Sequence, residues 1–190
     1  SGLPGFYSTT WFGIYGPRGL PPDITAKLNA EFNKALQATE VRERFETAWK
    51  LPAGTLDDRV GLTVVEVMHA IKHGQIKGMY VQGENPAMSD PDANHAREAL
   101  AALEHLVVQD IFLTETAYLA DVILPAGAFP EKTGSFTNTD RLVQMGRQAV
   151  APPGDARQDL WIIQQIGQRL GLPWDYQHVS EVFDEMRHTM

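Results

Sequence analysis

The chain contains no cysteine. It therefore builds no disulfide, no thiolate zinc site and no cysteine-ligated iron–sulfur cluster, and its redox compartment is not legible from thiol usage. It also lacks any apolar run near the roughly 18 residues that a membrane-spanning helix needs. Cations are scarce: 16 Lys and Arg stand against 24 Asp and Glu, a formal net charge of −8. Nucleic-acid binding rests on clustered Lys and Arg meeting phosphates, so neither nucleic acid nor a membrane surface is an expected partner. Ser1-Gly2 opens no signal peptide, which makes the cytoplasm the expected location. The six histidines show no metal-ligand spacing, since His69 and His73 stand four apart on a helix without a supporting third ligand.

What is present reads as a folded protein. Of 190 residues, 43% are hydrophobic and 21% charged, enough to bury a core in one domain or in one domain plus a fragment. The chain is organised around Gly78 to Asp121. Met79-Tyr80-Val81 is a short apolar run broken by Gly83-Glu84-Asn85-Pro86, the pattern of a buried strand emptying into a loop. Ser89 stands in capping position ahead of an Ala/Leu-rich helix from Ala93 to Leu103, with Asp90 and Asp92 in its first turn. Leu106 to Phe112 returns to strand chemistry, and a third strand, Val122-Ile123-Leu124, stops at Pro125 after a brief helical turn following Thr114. Open parallel sheets bind ligands at the carboxyl ends of their strands, so Glu84, Asn85, Gln109, Asp110, Thr114 and Thr116 are expected to converge on one rim.

The flanks are read the same way. Trp11 to Tyr15 is an aromatic-rich strand, and Pro21-Pro22-Asp23 opens a helix whose Ile24, Leu28, Phe32 and Leu36 form one apolar face. Thr63 and Glu66 have capping-box spacing ahead of a helix from Val64 to His73, ended by Gly74. After Pro125 the chain is polar, with Leu142-Val143 and Ala149-Val150 as possible short strands. Asp155 with Gln158 is read as the cap of a helix through Leu170, and Val179 to Met186 as a last helix. The fold class is α/β: a mainly parallel three- to four-stranded sheet flanked by helices, a partial Rossmann-like dinucleotide-binding domain, with an appended amino-terminal strand and helix.

From about Val41 to Met190 the chain resembles the α subunit of molybdenum or tungsten formate dehydrogenases, of the molybdopterin oxidoreductase superfamily. The resembling phrases are Gly83 to Ala87, Val108 to Ala117, Ala120 to Pro125, Gly134 to Gln144 and Pro153 to Trp161. Their order and spacing together are highly specific. Residues 1–45 instead resemble periplasmic substrate-binding proteins of tripartite tricarboxylate transporters, through Leu3 to Phe6, Trp11 to Gly13, Pro17 and Lys27 to Asn29. A chimeric junction is expected between about Thr39 and Trp49, dividing an amino-terminal segment, 1–45, from a cofactor-binding portion, 46–190.

The resemblance implies a molybdopterin guanine dinucleotide cofactor, of which this region holds one guanosine diphosphate arm. Asp110 is a two-acceptor fork for the N1 and N2 donors of guanine or for a ribose diol; the plain alternative is a strand-end Asp bonded to nearby amides. Asn85 offers a donor and an acceptor, with turn chemistry as its alternative. Glu84 suits a hydroxyl better than a phosphate, and Gln109 shares the rim. Lys132 can neutralise phosphate or bond the guanine carbonyl, and otherwise is a surface charge. Thr114 meets an anion at a helix start or merely caps it. Asp159 matches a family position facing the dinucleotide and serves equally as a first-turn dipole partner. Asn138 and Arg141 lie in the family's loop phrase with weaker claims.

The family's metal-ligating cysteine or selenocysteine, its neighbouring histidine and its formate-contacting arginine lie upstream of the matched region. Formate oxidation is thus not expected from this polypeptide alone. The partners implied are the missing domains of the parent enzyme, with self-association through uncovered apolar surface. The alternatives are a solute-binding protein for carboxylates and a fusion domain without a ligand.

Overall fold

The computed structural model describes residues 39–57, 61–140 and 142–189, together with Pro21, Asp23, Ile24, Ala26, Lys27, Ala30, Glu31 and Lys34. Of the helix expected after Pro21, the described positions 23–34 are helical; Leu28, Phe32 and Leu36 of its apolar face, the strand expected at 11–15, and Arg141 lie outside the described residues. The described residues divide into two compact units, one of residues 62–179 and one of those up to 61 with 180–189.

In the smaller unit, α1 (Thr39–Ala48) runs without a break through the expected junction. The buried Glu46 accepts from the backbone N–H groups of Leu56 at 2.9 Å and Gly54 at 3.0 Å, fastening the following loop. Those two amides, Leu56 first, hold the Glu46 carboxyl below the usual glutamate range.

In the larger unit, α2 (Val64–Lys72) is defined at both ends by its own sequence. Thr63 and Glu66 form the reciprocal capping box. At the other end Gly74, at φ +71°, lets the Gln75 N–H reach the Ala70 carbonyl at 2.9 Å and close the helix. Strand β1 (Gly78–Gln82) follows, then a short α3 (Pro86–Ser89), α4 (Ala93–Ala101), β2 (His105–Asp110) and β3 (Val122–Pro125). The three strands are parallel in the order β1-β2-β3, with Val81 opposite Val108 and Val108 opposite Ile123.

Side chains alternate across a strand, so this register splits the sheet into two chemically different faces. Val81, Leu106 and Val108 face Val67, Met68 and Ile71 of α2 and Ala96, Ala99 and Leu100 of α4, which together make the core. Each fully buried Leu or Met there contributes about 1.5–3 kcal/mol. Tyr80, Val107 and Gln109 lie on the opposite face. A hairpin, β4 (Gly134–Thr137) and β5 (Val143–Gly146), precedes α5 (Asp159–Arg169) and α6 (Val179–Thr189).

Four expectations are corrected. Ser89 does not cap the long helix; it ends α3, and Asp92 caps α4 by accepting from the His95 N–H at 3.1 Å. The second strand stops at Asp110, and Ile111 to Leu113 are exposed. Ala149-Val150 is not a strand, its two N–H groups bonding the Pro130 carbonyl instead. Asp155 does not cap α5, because Arg157 is extended: its N–H bonds the Pro125 carbonyl at 3.1 Å and its carbonyl accepts from Gly127 at 2.9 Å. That single parallel bridge, Ala126 to Arg157, is all the structure adds beside β3 among the described residues, and it delays the helix to Asp159.

Two outcomes follow from these contacts. Because the folded-state pKa of Glu46 lies below its unfolded value, its contribution is complete above the unfolded value and is lost as pH falls through the folded one. The amide shifts of Gly54 and Leu56 should titrate together with a midpoint below the ordinary glutamate value of about 4.3; a midpoint at or above it contradicts the contact. Parallel sheets are normally covered on both faces, yet Phe112 is 74% exposed, Phe129 73% and Val122 39%. Sedimentation velocity should show association that grows with protein concentration, and a clean monomer throughout overturns that expectation.

Candidate functional site

Three parallel strands put their carboxyl ends along one edge, and the loops that leave them carry the candidate residues. Gly83, at φ +63°, turns the chain out of β1, its N–H donating to the Gln109 carbonyl at 2.8 Å. Glu84 beyond it is exposed and makes no hydrogen bond or ion pair among the described residues. Asn85 turns both ends of its side-chain amide to the neighbouring loop. Its Oδ1 accepts from the Thr116 hydroxyl at 2.8 Å and the Thr116 N–H at 3.1 Å, while Nδ2 donates to Glu115 Oε2 at 2.7 Å. That donation is the main reason the Glu115 carboxyl sits below its usual range.

Thr116 is buried, and its hydroxyl also accepts from the Ala87 N–H at 3.0 Å, satisfying a donor at the start of α3. Thr114 accepts from the Ala117 N–H at 3.3 Å, at the head of a 3-10 turn (Ala117–Leu119), so its hydroxyl does capping work. Asp110 is half-buried; Oδ1 accepts from the Ile111 N–H at 2.7 Å, and Oδ2 has no partner among the described residues.

The densest polar contact joins residues distant in sequence. Gln109 is completely buried. Its Oε1 accepts from the Tyr80 hydroxyl, its Nε2 donates to Asp159 Oδ1 at 2.7 Å, and Asp159 Oδ2 accepts from the Lys132 ammonium. The Lys132 and Asp159 side chains keep 28% and 27% of their surface exposed, so solvent reaches the ion pair. Burial first, and then the Asp159 charge, push the Tyr80 phenol above its usual range, so it remains a donor at neutral pH.

The structure therefore joins Gln109 and Lys132 through Asp159, sets Asp110 one residue away on β2, and uses Asn85 and Thr114 to hold the loops around them. Tyr80 escaped the sequence reading. A tyrosine within a short buried strand needs a partner for its hydroxyl, and that signal points into the sheet's polar end. Beside the first turns of α5 lies a hollow of about 370 Å³ lined by Arg157, Gln158, Trp161, Gln164 and Tyr176, with the Arg157 guanidinium 5.9 Å from the Trp161 ring centre. Among the described residues no group of three or more His, Asp or Glu is arranged to hold a metal ion.

A family model described as molybdopterin oxidoreductase matches residues 14–169. The chain belongs to the molybdopterin oxidoreductase family. It is 48% identical over 145 residues to the F420-dependent formate dehydrogenase subunit alpha of Methanocaldococcus jannaschii, covering 75% of this chain and 21% of that protein. Against formate dehydrogenase H of Escherichia coli it is 41% identical over 150 residues, 77% of this chain and 20% of that one. The fold is similar to acetylene hydratase from Pelobacter acetylenicus, with a TM-score of 0.55 at 21% identity over 72% of this chain and 20% of that one. The chain thus spans about a fifth of the length of these molybdopterin oxidoreductase relatives.

The loop contacts yield a direct test. Thr116→Val keeps the side-chain shape but leaves the buried Ala87 N–H without an acceptor, a loss of about 1–3 kcal/mol. Urea unfolding should show a lower midpoint at unchanged slope, and an unchanged midpoint would remove Thr116 from this role.

Proposed function

We propose that residues 46–190 are the part of a molybdenum- or tungsten-dependent formate dehydrogenase α subunit that holds a guanosine arm of the molybdopterin guanine dinucleotide. The supporting observation is an acid, an amide and an ammonium meeting at the carboxyl edge of a parallel sheet, in a chain of this family. Around that edge stand Glu84, Asp110, Glu115 and Asp159, with Lys132 as the cation within the cluster. An acidic rim disfavours bare phosphate and favours N–H and O–H donors, so the base or ribose end of the arm is the part suited to it. The open Oδ2 of Asp110 and the solvent-reachable Lys132 fit a guanine edge, which presents N1 and N2 donors beside a carbonyl.

In this reading Asp110 takes the base or ribose donors, Lys132 and Asp159 form the charged pair beside it, and Gln109 holds Asp159. Asn85 and Thr114 shape the loops, and Glu84 is placed to meet a ribose hydroxyl. When bound, the cofactor supplies the metal-centred electron chemistry; this chain's residues bind and orient its nucleotide end. The remaining domains of the parent enzyme are the partners that would enclose the other side, and the cytoplasm is the compartment. An arm bound from one side only is held weakly, because enclosure supplies most of the buried surface.

Ultrafiltration with guanosine diphosphate checks this. The chain should retain it at high micromolar concentration, and Asp110→Asn should weaken retention by about tenfold, the loss of one charge-assisted contact. Absence of retention by the unaltered chain rules out a working half-site.

A further inference from the structure

Lys132 and Asp159, the two charged members of the cluster, satisfy each other. Asp159 is held in place from the other side: its carboxylate can only accept, so the buried Gln109 turns its N–H to Asp159 and leaves its oxygen to the Tyr80 hydroxyl. Asp159 also begins α5, where a carboxylate is favoured by the helix dipole. Lys132 has no such anchor. It lies beyond β3 at the entrance to the β4–β5 hairpin, on a flexible four-carbon stem.

We infer that the Lys132–Asp159 ion pair is a latch over the site: Asp159 is a fixed positioning residue that holds the Lys132 ammonium in the free protein, and a nucleotide gains it only by drawing it off with an oxygen acceptor of its own. This rests on the nucleotide reading above and adds that Asp159 restrains the ligand-binding group rather than touching the ligand. The acceptor is either a phosphate oxygen or the guanine carbonyl, which offer an ammonium the same chemistry.

Removing the restraint without removing the lysine separates these roles. Asp159→Asn keeps the shape, keeps an acceptor for Gln109 and releases Lys132. An ion pair that is partly exposed is worth about 1 kcal/mol at most, so affinity for guanosine diphosphate should rise roughly three- to fivefold. The rise should vanish in the double variant Asp159→Asn with Lys132→Met, which distinguishes release of the lysine from a general loss of negative charge. Titration with guanosine gives the same rise if the carbonyl is the acceptor and none if the phosphate is. A second readout needs no nucleotide: the Lys132 ammonium should give a sharp nitrogen-detected NMR signal in the unaltered chain, lost in Asp159→Asn. If the unaltered chain binds and Asp159→Asn binds equally well or more weakly, the latch is overturned and the nucleotide reading stands. If neither binds, both fall.

Discussion

A buried amide sets the terms for this structure. Gln109 has no exposed surface, and an amide in such a place costs several kcal/mol unless its oxygen and its N–H groups are bonded. Among the described residues, the polar side chains that bond it come from β1 and from the first turn of α5, through Tyr80 and Asp159. Satisfying Gln109 therefore ties the sheet to a helix fifty residues further along the chain. Asp159, once recruited, is a partly buried charge and needs a cation, which Lys132 supplies from the connection after β3. Water reaches the ammonium end of this chain of contacts, where Lys132 keeps 28% of its side-chain surface exposed.

The opposite face of the sheet is simpler. Val81, Leu106 and Val108 meet the apolar faces of α2 and α4 in a continuous core, and no polar side chain has to be accommodated among them. One face thus supplies stability and the other carries chemistry. The division is enforced by the parallel register, in which every residue of one strand shares a face with its partner on the next. Phe112, Tyr118 and Phe129, in the connections that follow the carboxyl ends of β2 and β3, are exposed among the described residues, in a chain a fifth the length of its relatives.

Much of the fold was legible in local patterns. The Thr63–Glu66 box and Gly74 bounded α2 because caps act within one turn of the chain, and Pro125 ended β3 as its missing N–H requires. Boundaries set by distant partners were misread. Asp155 and Gln158 have respectable capping spacing, but Arg157 is claimed by the end of β3, and a residue bridged to a strand is not available to a helix. Ser89 lost its expected place because Pro86 starts a short helix of its own.

The candidate site divides along the same line. That Gln109, Asp110 and Asn85 stand at strand ends follows from the alternation of apolar runs and breakers, and composition alone excluded thiolate chemistry. Which of them bond one another is a different matter. Nothing within a window of ten residues tells Asn85 that its partners are Glu115 and Thr116, or Lys132 that it will meet Asp159. Sequence determines where polar groups leave the strands, since that depends on neighbours along the chain. Only the tertiary structure decides their pairing, because the cost of leaving a buried donor or charge unpartnered is settled among groups that the fold, not the sequence, makes adjacent.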